Sequence, residues 1–390
     1  MLTTAGRAGI ECLLALAAAA GLLETAPLPW IWIGLGALAL LALAAYRARR
    51  GSWRLLWILA AAIVLTPVLA EAWLAAHGRE RFEGYDPGDY FRDDDVLGYA
   101  VRPDRQVRSR RVVGGETIYD VVYTIDGHGL RVEPPLEPGQ GDRCVLFFGC
   151  SYTFGEGVSD AETLPYRTGV RAEGRLRMIN FGLHGYGPHQ MLAALEGGVV
   201  DQALDGCEPI LAVYQGVWFQ AFRSAGLESW DRHGPRYLLD AEGKLVRRGH
   251  FDDDLRLRAH RVVLERLRRS FLYRAISEPR RRPTGDDNAL YVAILERARS
   301  VVEEKWPNAP FHVLFWDVPW SPLAEALEAR GLRVHRVSHV LPGWTEHRDL
   351  YTIPRDGHPS ALADDRLAEY LVREVVDGVA TGRQPVPPGR

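Results

Sequence analysis

Lysine is almost missing from this chain. Lys244 and Lys305 are the only two among 47 basic residues, so the positive charge is carried by arginine, a bias that points to no function. Those 47 basic residues face 50 acidic ones, and a net charge of −3 provides no global positive field to gather nucleic acid. Four cysteines are too few for a disulfide scaffold. With no C-x-x-C pair and no His/Cys spacing of the zinc type, no metal is indicated. Glycine and proline, 39 and 24 in number, follow no repeat, and with 47% hydrophobic residues the chain is neither fibrous nor wholly disordered. At 390 residues it exceeds a comfortable single core, and two or three folding units are expected.

Charge is also scarce locally. The first 76 residues carry little of it, whereas the chain after His77 is charge-rich. Pro29–Tyr46 and Leu55–Ala76 are apolar runs close to the roughly 20 residues that cross hydrocarbon as a helix, and Gly9–Leu23 is a shorter run containing Glu11. These read as three transmembrane helices in a membrane anchor, residues 1–76, with the lipid bilayer as partner. Met1–Ala8 carries only Arg7 and two further apolar runs follow, which argues against a cleaved signal peptide. Arg47, Arg49, Arg50 and Arg54 form a basic loop that belongs in the cytoplasm, so the C-terminal part is expected on the outer face of the inner membrane.

Residues 77–142 read as a β-rich extension and linker. Gly114-Gly115 separates two β-prone runs as a hairpin turn would, and Pro134–Gly141 is linker-like. From Arg143 onward, short apolar runs (Cys144–Gly149, Met178–Phe181, Ile210–Tyr214, Phe311–Trp316) alternate with helical patterns (Leu164–Ala172, His189–Leu204, Ala289–Trp306, Ala361–Val379). That rhythm predicts an α/β domain over 143–380 with a doubly wound parallel sheet, whose ligands bind beyond the C-terminal strand ends. An arginine-rich stretch at about 224–287 interrupts it as a helical insertion, either over the site or as a solvated decoration. Residues 381–390 read as a disordered tail.

Three candidate motifs fall at predicted element ends. Gly149-Cys-Ser-Tyr-Thr-Phe-Gly-Glu-Gly157 follows the first strand and places Ser151 in a tight turn feeding a helix, the position of a nucleophile beside backbone N–H groups. Asn180-Phe-Gly-Leu-His-Gly-Tyr-Gly187 follows the second, its glycines permitting close backbone approach to a ligand. Asp356-Gly-His-Pro-Ser360 precedes the last helix and supplies a carboxylate and an imidazole to activate a serine. Singly, these motifs read as a helix cap, a glycine loop and a turn. Their conjunction in this order favours catalysis.

In these blocks the sequence resembles the SGNH, or GDSL, hydrolases over Arg143 to about Val379. Gly149-Cys-Ser151 with Gly155-Glu-Gly157 is similar to the family's Gly-Asp-Ser block, with Cys150 in place of Asp. Asn180–Gly185 resembles the second block and Asp356/His358 with Pro359 the last, although Asp is here two rather than three residues before His. The resemblance implies a flavodoxin-like three-layer α/β/α domain and a triad of Ser151, His358 and Asp356. It also implies an oxyanion hole from the backbone N–H groups of Ser151 and Gly185. The family's third-block Asn is replaced in Gln215-Gly-Val-Trp-Phe-Gln-Ala221, where Gln220 or Gln215 could donate instead; Gln220, farther past the strand end, is preferred.

The activity implied is that of a membrane-anchored serine esterase removing acyl, notably acetyl, groups from a cell-envelope glycan or lipid ester, with no cofactor. Transfer of the acyl group to an envelope polysaccharide would need a separate membrane acyl-donor protein. The altered third block motivates another reading, a non-catalytic glycan-binding module, and the arginine loop opposes a cytoplasmic lipase. The strand order implied by the family makes the first and third strands neighbours, with Cys144 and Cys207 each seven residues before a strand end. A disulfide between them is predicted in an exterior compartment, with two buried free thiols as the alternative.

Overall fold

The computed structural model describes residues 36–41, 44, 51–77 and 80–380, and the chain divides into two units. One comprises residues 1–80 with 262–281, and the other residues 81–261 with 282–390. The first apolar run, most of the second and residues 381–390 lie outside the described residues.

In the first unit the third apolar run falls within a 27-residue helix, Gly51–His77. Leu56, Ile58, Leu59, Ile63, Leu65, Leu69 and Trp73 are exposed on it. Among the described residues no helix is long and apolar enough to cross a membrane. Glu71 is buried on this helix and caps the helix Phe271–Ser277. Its carboxylate accepts hydrogen bonds of 2.8 Å from the Ser270 hydroxyl and from the N–H groups of Phe271 and Leu272, which have no intrahelical acceptor.

The second unit opens with strands β1 (Glu80–Asp86), β2 (Phe91–Asp94), β3 (Gly98–Val101), β4 (Arg105–Val113) and β5 (Glu116–Ile125). β4 and β5 pair antiparallel around Gly114-Gly115, whose φ angles of 61° and 88° are those a two-residue hairpin turn requires. β1 adds to β4, and β2 pairs with β3.

The main sheet uses β6 (Arg143–Gly149), β7 (Arg177–Asn180) and β8 (Glu208–Val217), then β11 (Phe311–Trp316) and β12 (Arg333–Arg336) after the separate hairpin β9 (Pro235–Leu239)–β10 (Leu245–His250). Its five strands lie in the order β7-β6-β8-β11-β12, and every pairing is parallel. This is the 2-1-3-4-5 order of the flavodoxin-like fold, whose switch point falls between β6 and β8.

Alternation along the strands builds two cores. Leu146, Phe148, Tyr214, Val313 and Phe315 pack on one face with Ile294, Leu295 and Ala298 of the helix Gly285–Lys305. Val145, Phe147, Leu211, Val213 and Leu314 pack on the other with Leu367 and Leu371 of the helix Ala361–Leu371. Cys144 and Cys207 are joined by a disulfide with Cα atoms 5.8 Å apart, as β6–β8 adjacency allows.

The 224–287 stretch differs from the helical insertion expected. It begins with the β9–β10 hairpin before the helices Leu255–Arg268 and Phe271–Ser277, and residues 262–281 group with the N-terminal helix. The arginine count obscured a short hairpin that turns at Asp240-Ala-Glu-Gly-Lys244, with Gly243 at φ 76°.

Candidate active site

Ser151 stands directly past the end of β6, as the first residue of the short helix Ser151–Phe154. The turn that places it needs Gly149: φ is 155°, and a Cβ there would fall 2.1 Å from Thr153 Oγ1 and 2.9 Å from the Gln215 carbonyl. Gly155, in the left-handed conformation at φ 84°, ends the helix and turns the chain back. Beneath this loop lies Arg131, only 1% exposed. Its guanidinium donates to the carbonyls of Phe154, Gly155 and Val158 and to Asp160 Oδ1, and it lies over the rings of Tyr123 and Phe154. A buried charge surrounded by so many acceptors fixes the loop's path.

His358 reaches Ser151 from the loop before the helix Ala361–Leu371, with Nε2 2.8 Å from Ser151 Oγ. On its other side Nδ1 lies 2.5 Å from Asp356 Oδ1, and the same oxygen accepts the His358 N–H at 3.1 Å. The carboxylate is acceptor-only, so Nδ1 carries the proton and Nε2 is free to accept from the serine. The Tyr152 hydroxyl donates to the Gly357 carbonyl, tying the nucleophile helix to the histidine loop. The Asp356 side chain is fully buried, and its Oδ2 lies 3.2 Å from Nη1 of Arg111, on the β4–β5 hairpin. The extension thus contributes a residue to the site.

Glu156, between Gly155 and Gly157, also faces the imidazole. Its Oε2 lies 3.4 Å from His358 Nε2 and 2.8 Å from His184 Nδ1. Burial would raise its carboxyl, but the facing His358 and His184 and the nearby Arg111 outweigh burial and hold it well below the usual carboxylate range. Burial would likewise depress His358, yet the Glu156 charge and the hydrogen bond and charge of Asp356 reverse this, and the imidazole is shifted upward.

The segment 183–186, which meets the Ser151 loop through His184 on Glu156 and Phe154, is held by its carbonyls. Tyr99 Oη donates to His184, Trp230 Nε1 to Gly185 at 3.5 Å and Arg223 to Tyr186. Gly185 has φ 78°, and a Cβ there would meet Trp230 Nε1 at 2.5 Å and Tyr99 Oη at 2.6 Å. Side-chain contacts on the carbonyls leave the backbone N–H of Gly185 uncommitted by them.

Gln220 departs from expectation. Fully buried, its Oε1 accepts from Tyr214 Oη and the Val217 N–H, both at 2.9 Å, while its amide nitrogen turns to the Gln215 carbonyl at 3.5 Å. Lying past a strand end put it on the first turn of the helix Gln220–Ser224, and that turn points it into the core instead of toward the serine. Gln215, also buried, accepts the Thr153 hydroxyl on Oε1. Cys150, beside Ser151, is a buried free thiol. Among the described residues no cluster of His, Cys, Asp or Glu could hold a metal.

The structure therefore brings Ser151, His358 and Asp356 together and does not bring Gln220 to them. Glu156, His184, Arg111 and Arg131 were missed. The first two sit inside the motifs that drew attention for their glycines; the two arginines carried no local signal among 43 others.

The sequence matches no family model and no curated protein. Among solved structures the chain is similar to an acetyl xylan esterase, Est2A, from the rumen bacterium Butyrivibrio proteoclasticus, at 12% identity and a TM-score of 0.33, over 70% of this chain and 74% of that one. It is similar also to Axe2, an acetylxylan esterase from Geobacillus stearothermophilus, at 14% identity and a TM-score of 0.32, over 60% and 94% of the two chains. AlinE4, an SGNH-hydrolase family esterase, shares 18% identity at a TM-score of 0.29, over 62% and 98%.

Proposed function

We propose that this protein is a serine ester hydrolase of the SGNH type that removes acyl groups, in the first place acetyl, from an ester-bearing glycan or lipid of the cell envelope. The observation that carries this reading is the chain Ser151 Oγ–His358 Nε2 at 2.8 Å and His358 Nδ1–Asp356 Oδ1 at 2.5 Å, at the switch point of a flavodoxin-like sheet. His358 takes the Ser151 proton as Oγ attacks the ester carbonyl carbon, and the imidazolium then protonates the departing alkoxide as the acyl–oxygen bond breaks. Water, deprotonated by the same imidazole, attacks the acyl carbon, and the Ser151 Oγ–acyl bond breaks as the imidazolium returns the proton to Oγ, releasing the acid. Backbone N–H groups of Ser151 and Gly185 hold the oxyanion.

The same proposal places the α/β unit outside the inner membrane, attached through residues 1–77. Support comes from the apolar runs, the basic Arg47–Arg54 loop, the exposed apolar residues of Gly51–His77 and a disulfide suited to an oxidising compartment. Exchange of water for a sugar hydroxyl in the second half-reaction would make the enzyme a transferase. A panel of acetyl and longer acyl esters, with and without oligosaccharide acceptors, tests both points. Hydrolysis of short acyl esters is expected. Turnover only when an acceptor is present would replace the hydrolase with the transferase, and inertness of Ser151 toward every ester and toward a fluorophosphonate would remove the enzyme.

A further inference from the structure

The triad leaves one largely buried carboxylate–imidazole pair beside it unused. Glu156 and His184 are 12% and 9% exposed in their side chains, and they sit on the Nε2 side of His358, the side where protons move. His184 is held in place by Glu156 and by aromatic rings on several elements: Phe154 at 4.2 Å between centroids, Tyr85 at 5.3 Å, and Tyr90 and Tyr123 at 5.9 Å. A carboxylate can only accept, so His184 Nδ1–H donates and fixes Glu156 Oε2 at the edge of the catalytic imidazole. Tyr119 Oη reaches Oε1 at 3.4 Å from the hairpin.

We propose that Glu156, clamped by His184, is a positioning residue for His358: a second carboxylate, on Nε2, that stabilises the imidazolium formed in each half-reaction and sets the pH at which the base becomes available. The inference rests on the reading of Ser151 and His358 as nucleophile and base. Glu156 itself exchanges no proton. His358 receives the Ser151 proton as the Oγ–carbon bond forms and passes it to the leaving oxygen, and throughout this the carboxylate 3.4 Å away favours the charged ring. Below the His358 midpoint the same attraction holds the Nε2–H against Glu156 and away from the serine. Asp356 from the histidine loop faces Nδ1, Arg111 from β4 reaches the ring through Asp356, and Arg223 from the helix Gln220–Ser224 opposes the positive charge. The upward shift of His358 is thus the balance of two carboxylates against burial and one arginine.

The test uses the full chain in detergent micelles, with 15N-histidine labelling in a Ser151→Ala background so that His358 is titrated by NMR independently of turnover. Glu156→Gln, which keeps the size and an acceptor for His184, is expected to lower the His358 midpoint by about one pH unit or more, and Glu156→Asp to restore most of it. His184→Asn is expected to move it in the same direction by less, with no further movement in the double variant. With Ser151 intact, the acid limb of kcat/KM follows the same displacement. A folded Glu156→Gln protein with an unmoved midpoint overturns the proposal; should that variant not fold, an unmoved midpoint in His184→Asn does so. If the ester reading itself is wrong, the titration still moves while no variant turns over ester, which separates the two failures.

Discussion

Arg111, on the β4–β5 hairpin, places Nη1 3.2 Å from Oδ2 of Asp356, more than two hundred residues later in the chain, while the other oxygen of that carboxylate holds His358. The hairpin is therefore part of the apparatus that orients the imidazole. Arg111→Met is expected to lower kcat/KM about tenfold to a hundredfold, since loosening a catalytic group by an ångström costs about that much. Labelling of Ser151 by a fluorophosphonate should slow yet still go to completion. Unchanged kinetics in the variant would make the contact incidental.

Gln220→Ala separates a core role from a catalytic one. Removing Oε1 strands the Val217 N–H in the interior and takes an acceptor from the Tyr214 and Tyr291 hydroxyls, at a cost of about 1–3 kcal/mol for a buried unsatisfied group. A lower urea midpoint is expected, with turnover per folded molecule within a few fold of wild type. A hundredfold loss of turnover at unchanged stability would return Gln220 to the oxyanion.

Strand patterns explain what the sequence made legible. Cys144–Gly149 and Phe311–Trp316 are buried on both faces, and such continuous apolar runs bounded by turn residues are recognisable without partners. β12 escaped because Arg333-Val-His-Arg336 at the sheet edge has a single apolar residue. In the site, Ser151, His358 and Asp356 were accessible because each sits in a short local motif with its own turn chemistry. Arg111 and Arg131 act across long sequence separations, and nothing near them in the chain distinguishes them from solvated arginines. Gln220 failed for the opposite reason: position past a strand end indicates the neighbourhood, while the direction of a side chain depends on the first turn of the next helix.

Oxidation state is directly measurable. In unreduced, denatured protein Cys144 and Cys207 should resist alkylation while Cys150 is modified, and all three should react after reduction. With a sequence separation of 63, loss of the bridge in Cys144→Ser is expected to cost about 4 kcal/mol in the chain-entropy account. Alkylation of all three without reduction would contradict both the bridge and the oxidising compartment proposed.

Stability should fall on the acid side of neutrality through a buried histidine pair. His312 on β11 and His335 on β12 are buried with rings stacked 5.0 Å apart, Nδ1 to Nε2 at 2.7 Å, and Tyr370 Oη on the far nitrogen. Burial lowers both, aided at His312 by the charge of His335, to about 3 and about 4 respectively. Depressed histidines are neutral in the folded chain but protonated in the unfolded chain below about pH 6.5. Each therefore removes stability as pH falls from there, on the order of 2 kcal/mol by pH 5. His358 titrates in the opposite sense, so the comparison is made against the His312→Leu/His335→Leu double variant, whose urea midpoint should change less between pH 7 and pH 5. An equal change in both proteins would contradict the assignment.

The most direct test is the rate of covalent modification of Ser151 in the full-length protein. An ester-like fluorophosphonate should label wild type at a single residue, identified by mass spectrometry as Ser151. Labelling should fall by several orders of magnitude in His358→Ala, by less in Asp356→Ala, and to nothing in Ser151→Ala, because serine and histidine act as one unit while aspartate orients. An unlabelled wild-type Ser151, or labelling that is indifferent to His358, would contradict the triad.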